Sequence, residues 1–272
     1  MKAVSDMSLT VIINLVEWIE KNLNYNLSVN TIVDKSGFSR RHLHNLFRKH
    51  THMNLSEYIR VRRLTKAAIL IKFTLGKIDR ISSALCYSSL QNFSRSFRFH
   101  FKCSPLQYRK ENTLDCSKLL SRKLFFTPEL NYYELLNKKF NLGHNIFNHK
   151  DSLLNEIGWR KKMLRYKMFG KQLRKQEVIF VLSEIEPYDE IGGDVRVNAR
   201  IGEGGKSSGH CVHFKKCIMI TYTGFWNDYY LFVRDLYNRL ECTIYPFCVV
   251  EEISCEDIVT EKISVNIYIE KE

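Results

Sequence analysis

The 272-residue chain is 44% hydrophobic and 26% charged, with a formal net charge of +13, the composition of a globular protein long enough for two domains. It has no run of 18 apolar residues to suggest a membrane span, and its first residues lack the apolar core and cleavage site of a secretory signal. The eight cysteines form no C-x-x-C pair and show no zinc-finger spacing, so free thiols in a reducing cytoplasm are expected, with no metal and no cofactor.

The charge is segregated. Residues 1–112 hold 19 Lys and Arg against 7 Asp and Glu, +12, whereas residues 113–272 hold 23 against 22, +1. An excess confined to one half points to a polyanionic partner for that half.

In chain order, Leu9, Ile12, Ile13, Val16 and Ile19 recur at helical spacing and predict an amphipathic helix over 8–23. Ser28 or Asn30 caps a short second helix through Val33 and Lys35. Gly37-Phe38 makes a turn, and Ser39 caps a third helix with Leu43, Leu46 and Phe47 facing inward. Arg41, His44, Asn45 and Arg48 then fall at i, i+3, i+4 and i+7 as one polar stripe. A long helix follows over 56–73, with Tyr58, Ile59, Leu64, Ala67, Ala68 and Ile71 as core candidates. Its Arg60, Arg62, Arg63 and Lys66 read equally well as ordinary surface or as phosphate contacts. Ile78, Ile81 and Leu85 lead to a turn at Tyr87-Ser88, and Ser89 opens a helix with Phe93 and Phe97 inward. Gln91, Ser94, Arg95 and Arg98 form its outer stripe, and Pro105 opens a short closing helix.

These elements repeat. Ser39, Leu43, Phe47, Arg48, His50 and Tyr58 recur 50 residues later as Ser89, Phe93, Phe97, Arg98, His100 and Tyr108. Apolar matches apolar and basic matches basic, which indicates a duplicated helix-turn-helix. The second helix of such a unit enters the major groove, where Arg and Asn suit bidentate contact with a base.

Phe97-x-x-x-Phe101-x-x-x-Pro105-x-x-Tyr108-Arg109 is similar to the closing signature of the AraC/XylS family of bacterial transcription regulators. Ser36-Gly37-Phe38-Ser39-x-x-His42-Leu43-x-x-Leu46-Phe47 resembles the family's first unit, and Tyr58-Ile59-Arg60-x-Arg62-Arg63-Leu64 its linker helix. The likeness covers about residues 8–110, and a reader placed ahead of a second domain resembles the family's Rob-like members. It implies an all-α tandem helix-turn-helix domain over 1–112, binding promoter DNA as a monomer and activating transcription through RNA polymerase. It also implies DNA contacts from Arg40, Arg41, His44, Asn45 and Arg48 on one helix, and from Leu90, Gln91, Asn92, Arg95 and Arg98 on the other. Close relatives carry Trp, Gln and Arg where this chain has Arg41, His44 and Asn45, and Gln and Thr at Leu90 and Asn92. A retained two-site mode with an altered first half-site is therefore expected.

Beyond residues 113–122, strands are predicted at 140–147, 178–185, 211–213, 217–223, 247–253 and 263–269. Helices are predicted at 153–168 and 226–240, so the second domain, 123–272, reads as α+β. Phe214 to Gly224 with the helix after it is similar to the GyrI-like effector-binding domain. That likeness implies a small lipophilic or cationic effector, with Glu251 as the strand carboxylate and Tyr222 and Trp226 as aromatic walls. A core or rim role for both rings, and a solvent-facing Glu251, is the plainer reading of the residues themselves. Gly205-Lys206-Ser207 has Arg200 where a phosphate-binding loop needs glycine. His210, Cys211 and His213 lack a fourth metal ligand, and no spacing implies catalysis, so a non-enzyme is expected. Two alternatives stay open for the second domain: a protein-partner module on a constitutive regulator, or hydrolysis of a small lipophilic substrate.

Overall fold

Four serines start helices in the N-terminal half by accepting a backbone N–H from three residues on, the ordinary N-cap device, with Ser104 accepting from Gln107 at 3.2 Å ahead of the last of them. Ser28 accepts from Thr31 at 3.0 Å, Ser39 from His42 at 3.4 Å and Ser89 from Asn92 at 3.1 Å. The computed structural model describes residues 2–121, 130–143, 146–152, 169–173, 177–188, 194–202, 210–257 and 261–272. They divide into one unit of residues 1–71, 77–108 and 118–128, and another of residues 72–76, 109–117 and 129–272. None of the described helices is long and apolar enough to cross a membrane.

The helices run α1 Lys2–Lys21, α2 Val29–Ser36, α3 Arg40–Thr51, α4 Leu55–Phe73, α5 Ile78–Ala84, α6 Leu90–Phe101 and α7 Pro105–Lys110. Gly37 ends α2 in the left-handed region at φ 69°, which costs glycine little. In the first unit Ile12, Val16 and Ile19 of α1 close over Ile32, Leu43, Phe47 and Tyr58. Helix α4 is buried on nearly every side: Tyr58, Leu64, Ala67, Ala68 and Ile71 are fully enclosed, and so are Thr65 and Arg62. A helix that separates two halves of one core shows no polar face, so its sequence lacks the usual amphipathic stripe.

Arg62 is where the structure departs from a surface or phosphate-contact reading. It is only 7% exposed. Its Nε and Nη2 meet the two carboxylate oxygens of Glu20 on α1, each at 2.8 Å, and Nη1 donates to the Leu120 carbonyl. Tyr58 donates to the same carboxylate at 2.7 Å. Arg63 is also engaged, donating to the carbonyls of Leu23 and Tyr25 at 3.0 and 2.7 Å.

The other unit holds an all-antiparallel sheet in the order β2-β6-β8-β7-β4-β5-β3, with β1 (Leu114–Asp115) on β7. The strands are β2 Tyr132–Leu142, β3 Ile146–Ser152, β4 Val178–Pro187, β5 Asp194–Gly202, β6 His210–Phe225, β7 Thr243–Asp257 and β8 Lys262–Lys271, with α8 (Trp226–Leu236) after β6. The single strand expected over 140–147 is two. They break at Gly143, where a Cβ would lie 2.3 Å from the Ile201 carbonyl oxygen, so only glycine lets this backbone pass so near β5. Strand β5 was missed by the sequence reading although Val195, Val197, Ala199 and Ile201 alternate with polar residues. The segments expected at 211–213 and 217–223 are one continuous β6. The helix expected over 153–168 lies outside the described residues.

Removing the carboxylate from a buried pair strands the guanidinium, at a cost of about 3–5 kcal/mol. Glu20→Ala is therefore expected to lower the melting temperature of the helical signal in circular dichroism strongly. A loss under about 1 kcal/mol, the worth of a surface pair, would contradict a buried pair.

Candidate nucleic-acid interface

The repeat seen in the sequence is a repeat in space. Residues 39–51 and 89–101 have the same succession of exposed, half-buried and buried positions throughout. Leu43, Phe47 and Thr51 are buried on α3, and Phe93, Phe97 and Phe101 on α6. Phe47 meets Tyr58 edge-on with ring centres 5.5 Å apart, and Phe97 meets Tyr108 edge-on at 5.4 Å. Both helices end in a left-handed residue, His52 (φ 59°) and Lys102 (φ 66°), whose N–H returns to the carbonyl of Arg48 or Arg98. Anchored at one face and capped at both ends, each helix presents its other face in a fixed orientation.

On α3 that outer face exposes Arg40, Arg41, Asn45 and Arg48, with His44 half-buried. Arg40 is tied back to Asn30 of α2, which holds its guanidinium at the start of the helix. On α6 the same positions expose Leu90, Gln91, Asn92, Arg95 and Arg98. Leu90 is 44% exposed, a large apolar side chain where the first copy has Arg40. Asn92 donates to Ser88 at 3.3 Å. Each helix thus gathers its sequence-expected residues on one surface, with hydrogen-bond donors predominating and no acidic residue in either first turn.

Sequence reasoning missed the segment after α7. Leu120 donates its N–H to Thr65 Oγ1 at 3.0 Å, and its side chain packs against the α1–α4 core. His100 Nε2 lies 2.9 Å from the Lys118 carbonyl, and burial holds its pKa below the ordinary imidazole value; the bond to that carbonyl opposes the shift, while the charges of Arg60, Lys102 and Lys118 add to it. No periodicity marks these residues; only the matching of His50 with His100 drew attention to the position.

The other sequence-expected residues lie on β6, α8 and β7. Glu251 is 3% exposed, and Tyr229 of α8 donates to it at 2.5 Å. Trp226 is buried between Phe169 and Tyr229, at ring separations of 5.8 and 5.7 Å. Tyr222 packs on Tyr229 and Phe232, each at 5.0 Å, and donates to the Phe225 carbonyl. Burial, with Asp228 nearby, pushes the Tyr222 pKa up to about 12, so the phenol stays protonated. The solvent-facing reading of Glu251 does not hold. Tyr229, on the helix expected over 226–240, supplies the contact that seats this carboxylate.

A family model for a helix-turn-helix domain matches residues 32–111. SoxS of Salmonella typhimurium is 41% identical over 99 residues, 36% of this chain and 92% of SoxS. The F1 operon positive regulatory protein of Yersinia pestis is 30% identical over 236 residues, 83% of this chain and 74% of that protein. The chain belongs to the AraC/XylS family of transcription regulators. A further AraC/XylS-type relative, the putative HTH-type transcriptional regulator YkgA of Escherichia coli K12, is 41% identical over 123 residues, 45% of this chain. The alignment spans about half of YkgA, 52% of its length. The Yersinia alignment is long enough to reach beyond the helix-turn-helix half of this AraC/XylS chain.

Proposed function

We propose that the chain is a transcription activator that reads an asymmetric two-part promoter site with α3 and α6, as a monomer. The observation that carries this reading is the equivalence of the two helices, position by position, in burial and capping. Arg48 and Arg98, in the last turns, are suited to phosphate, while Arg41, His44 and Asn45, and Gln91, Asn92 and Arg95, reach base edges. Leu90 offers an apolar contact of the kind that selects a thymine methyl group. The two faces differ in residue type, so the two half-sites differ in sequence. Activation requires contact with RNA polymerase; the naming of the Yersinia relative as a positive regulator supports that direction.

The second domain, over 123–272, is proposed to be a GyrI-like effector sensor in the Rob-like arrangement. Its effector is a small lipophilic cation held by the Glu251 carboxylate among Tyr222, Trp226 and Tyr229. A buried carboxylate attracts a cation by charge, and aromatic faces add the pull of their ring quadrupoles.

Selection from a randomised duplex pool should yield a two-part consensus. Arg95→Ala should cost about 1–3 kcal/mol and relax preference in one half-site only. Binding with no consensus, unaltered by that change, would mean plain phosphate attraction. For the sensor, an excess of benzyltrimethylammonium about 100-fold over its Kd should stabilise wild type by about 2.7 kcal/mol, and Glu251→Gln should lose most of this gain. Equal stabilisation of both proteins would remove Glu251 from the site.

A further inference from the structure

Two reading helices on one chain bind DNA together only if their separation matches that of the half-sites, and something must hold that separation. Helix α4 joins the two halves of the reader, and residues 118–120 cross it. At one end of the crossing the Lys118 carbonyl meets His100, in the last turn of α6. At the other, Leu120 packs into the core built from α1, α3 and the start of α4. Between them the backbone of Leu120 is held by α4 on both of its polar atoms, its N–H by Thr65 and its carbonyl by Arg62. Leu119 is buried as well, 7% exposed. The segment is therefore bonded to the second reading helix, the spacer and the first reader's core at once.

The internal repeat supplies a comparison. His50 occupies in α3 the place that His100 occupies in α6, and its Nε2 is buried with no partner among the described residues. The imidazole alone does not create the contact; the chain passing over the second copy does.

We infer that residues 118–120 form a strap that fixes the placement of α6 relative to α3, so that Thr65, His100 and Arg62 are positioning residues for half-site separation. They touch no base. Their effect is to make the protein discriminate between promoters that carry the same two half-sites at different spacings. The inference rests on the two-helix reading above and adds the device that holds it in register.

The test is a binding titration of the full chain against duplexes carrying both half-sites at the preferred separation, at one base pair more and fewer, and against a single half-site. Each inserted base pair moves the second site by roughly 3.4 Å and turns it by roughly 35°. Wild type should lose about tenfold or more for such a change. Thr65→Val with His100→Phe roughly keeps side-chain volume and removes the Thr65 and His100 hydrogen bonds to the strap, leaving the Arg62 contact in place. This variant should lose about threefold or less for the same change, while binding a single half-site within about twofold of wild type. Thr65→Ser, which keeps the hydroxyl, should retain the wild-type spacing profile. Melting curves establish that each variant is folded. A folded double variant with the full wild-type spacing penalty would overturn the strap and leave the two-helix reading standing. So would an equal loss on every duplex, single half-site included, since that is the mark of general support. A wild type that binds single and paired half-sites alike would overturn the two-helix reading itself, and the strap with it.

Discussion

A guanidinium enclosed in the middle of the reader governs how its parts are held. Arg62 has given up water, and the Glu20 carboxylate and the Leu120 carbonyl accept from its guanidinium. A buried pair of this kind adds little net stability over a well-packed apolar substitute, yet leaving one member alone is costly. Its consequence is specificity of arrangement. Helix α1, helix α4 and the segment after α7 must meet at one point with donor and acceptor geometry satisfied. Because α4 is also the spacer between the two reading helices, what fixes α4 fixes the frame from which both are presented.

Within that frame the two copies have kept their buried faces and diverged on their exposed ones. Leu43, Phe47 and Thr51 correspond to Phe93, Phe97 and Phe101, and both copies use a serine N-cap and a left-handed last residue. On the outer faces Arg40 corresponds to Leu90, Arg41 to Gln91 and Asn45 to Arg95. Burial constrains the first set in position rather than in size: Phe47 and Phe97 are identical, while Leu43 and Thr51 are replaced by larger phenylalanines within the second copy's own packing. The second set is exposed and carries no such packing constraint. Two copies of one scaffold with unlike outer surfaces are what an asymmetric site needs.

The repeat was legible because Ser39, Phe47 and Tyr58 return at a constant offset, and caps and apolar spacing place the surrounding helices, although the first begins at Lys2, six residues before the expected start. The role of Arg62 was not legible. A basic residue in a basic segment reads as surface, and its partner lies 42 positions away on another helix. The strap was equally silent, since Lys118-Leu119-Leu120 has no period and acts mainly through backbone atoms. In the second domain, alternation located most strands, but the Gly143 break depends on how near β5 passes, which spacing along the chain does not reveal. Glu251 was singled out by likeness to a family; the buried bond from Tyr229 became visible only with α8 laid on the sheet.

Hydroxyl-radical footprinting of the full chain on a selected duplex tests the joint action of α3 and α6 most directly. Two protected backbone patches on one face of the DNA, centred about 10–10.5 base pairs apart, are the expected result. A single patch, or protection spread evenly along the duplex, would contradict it.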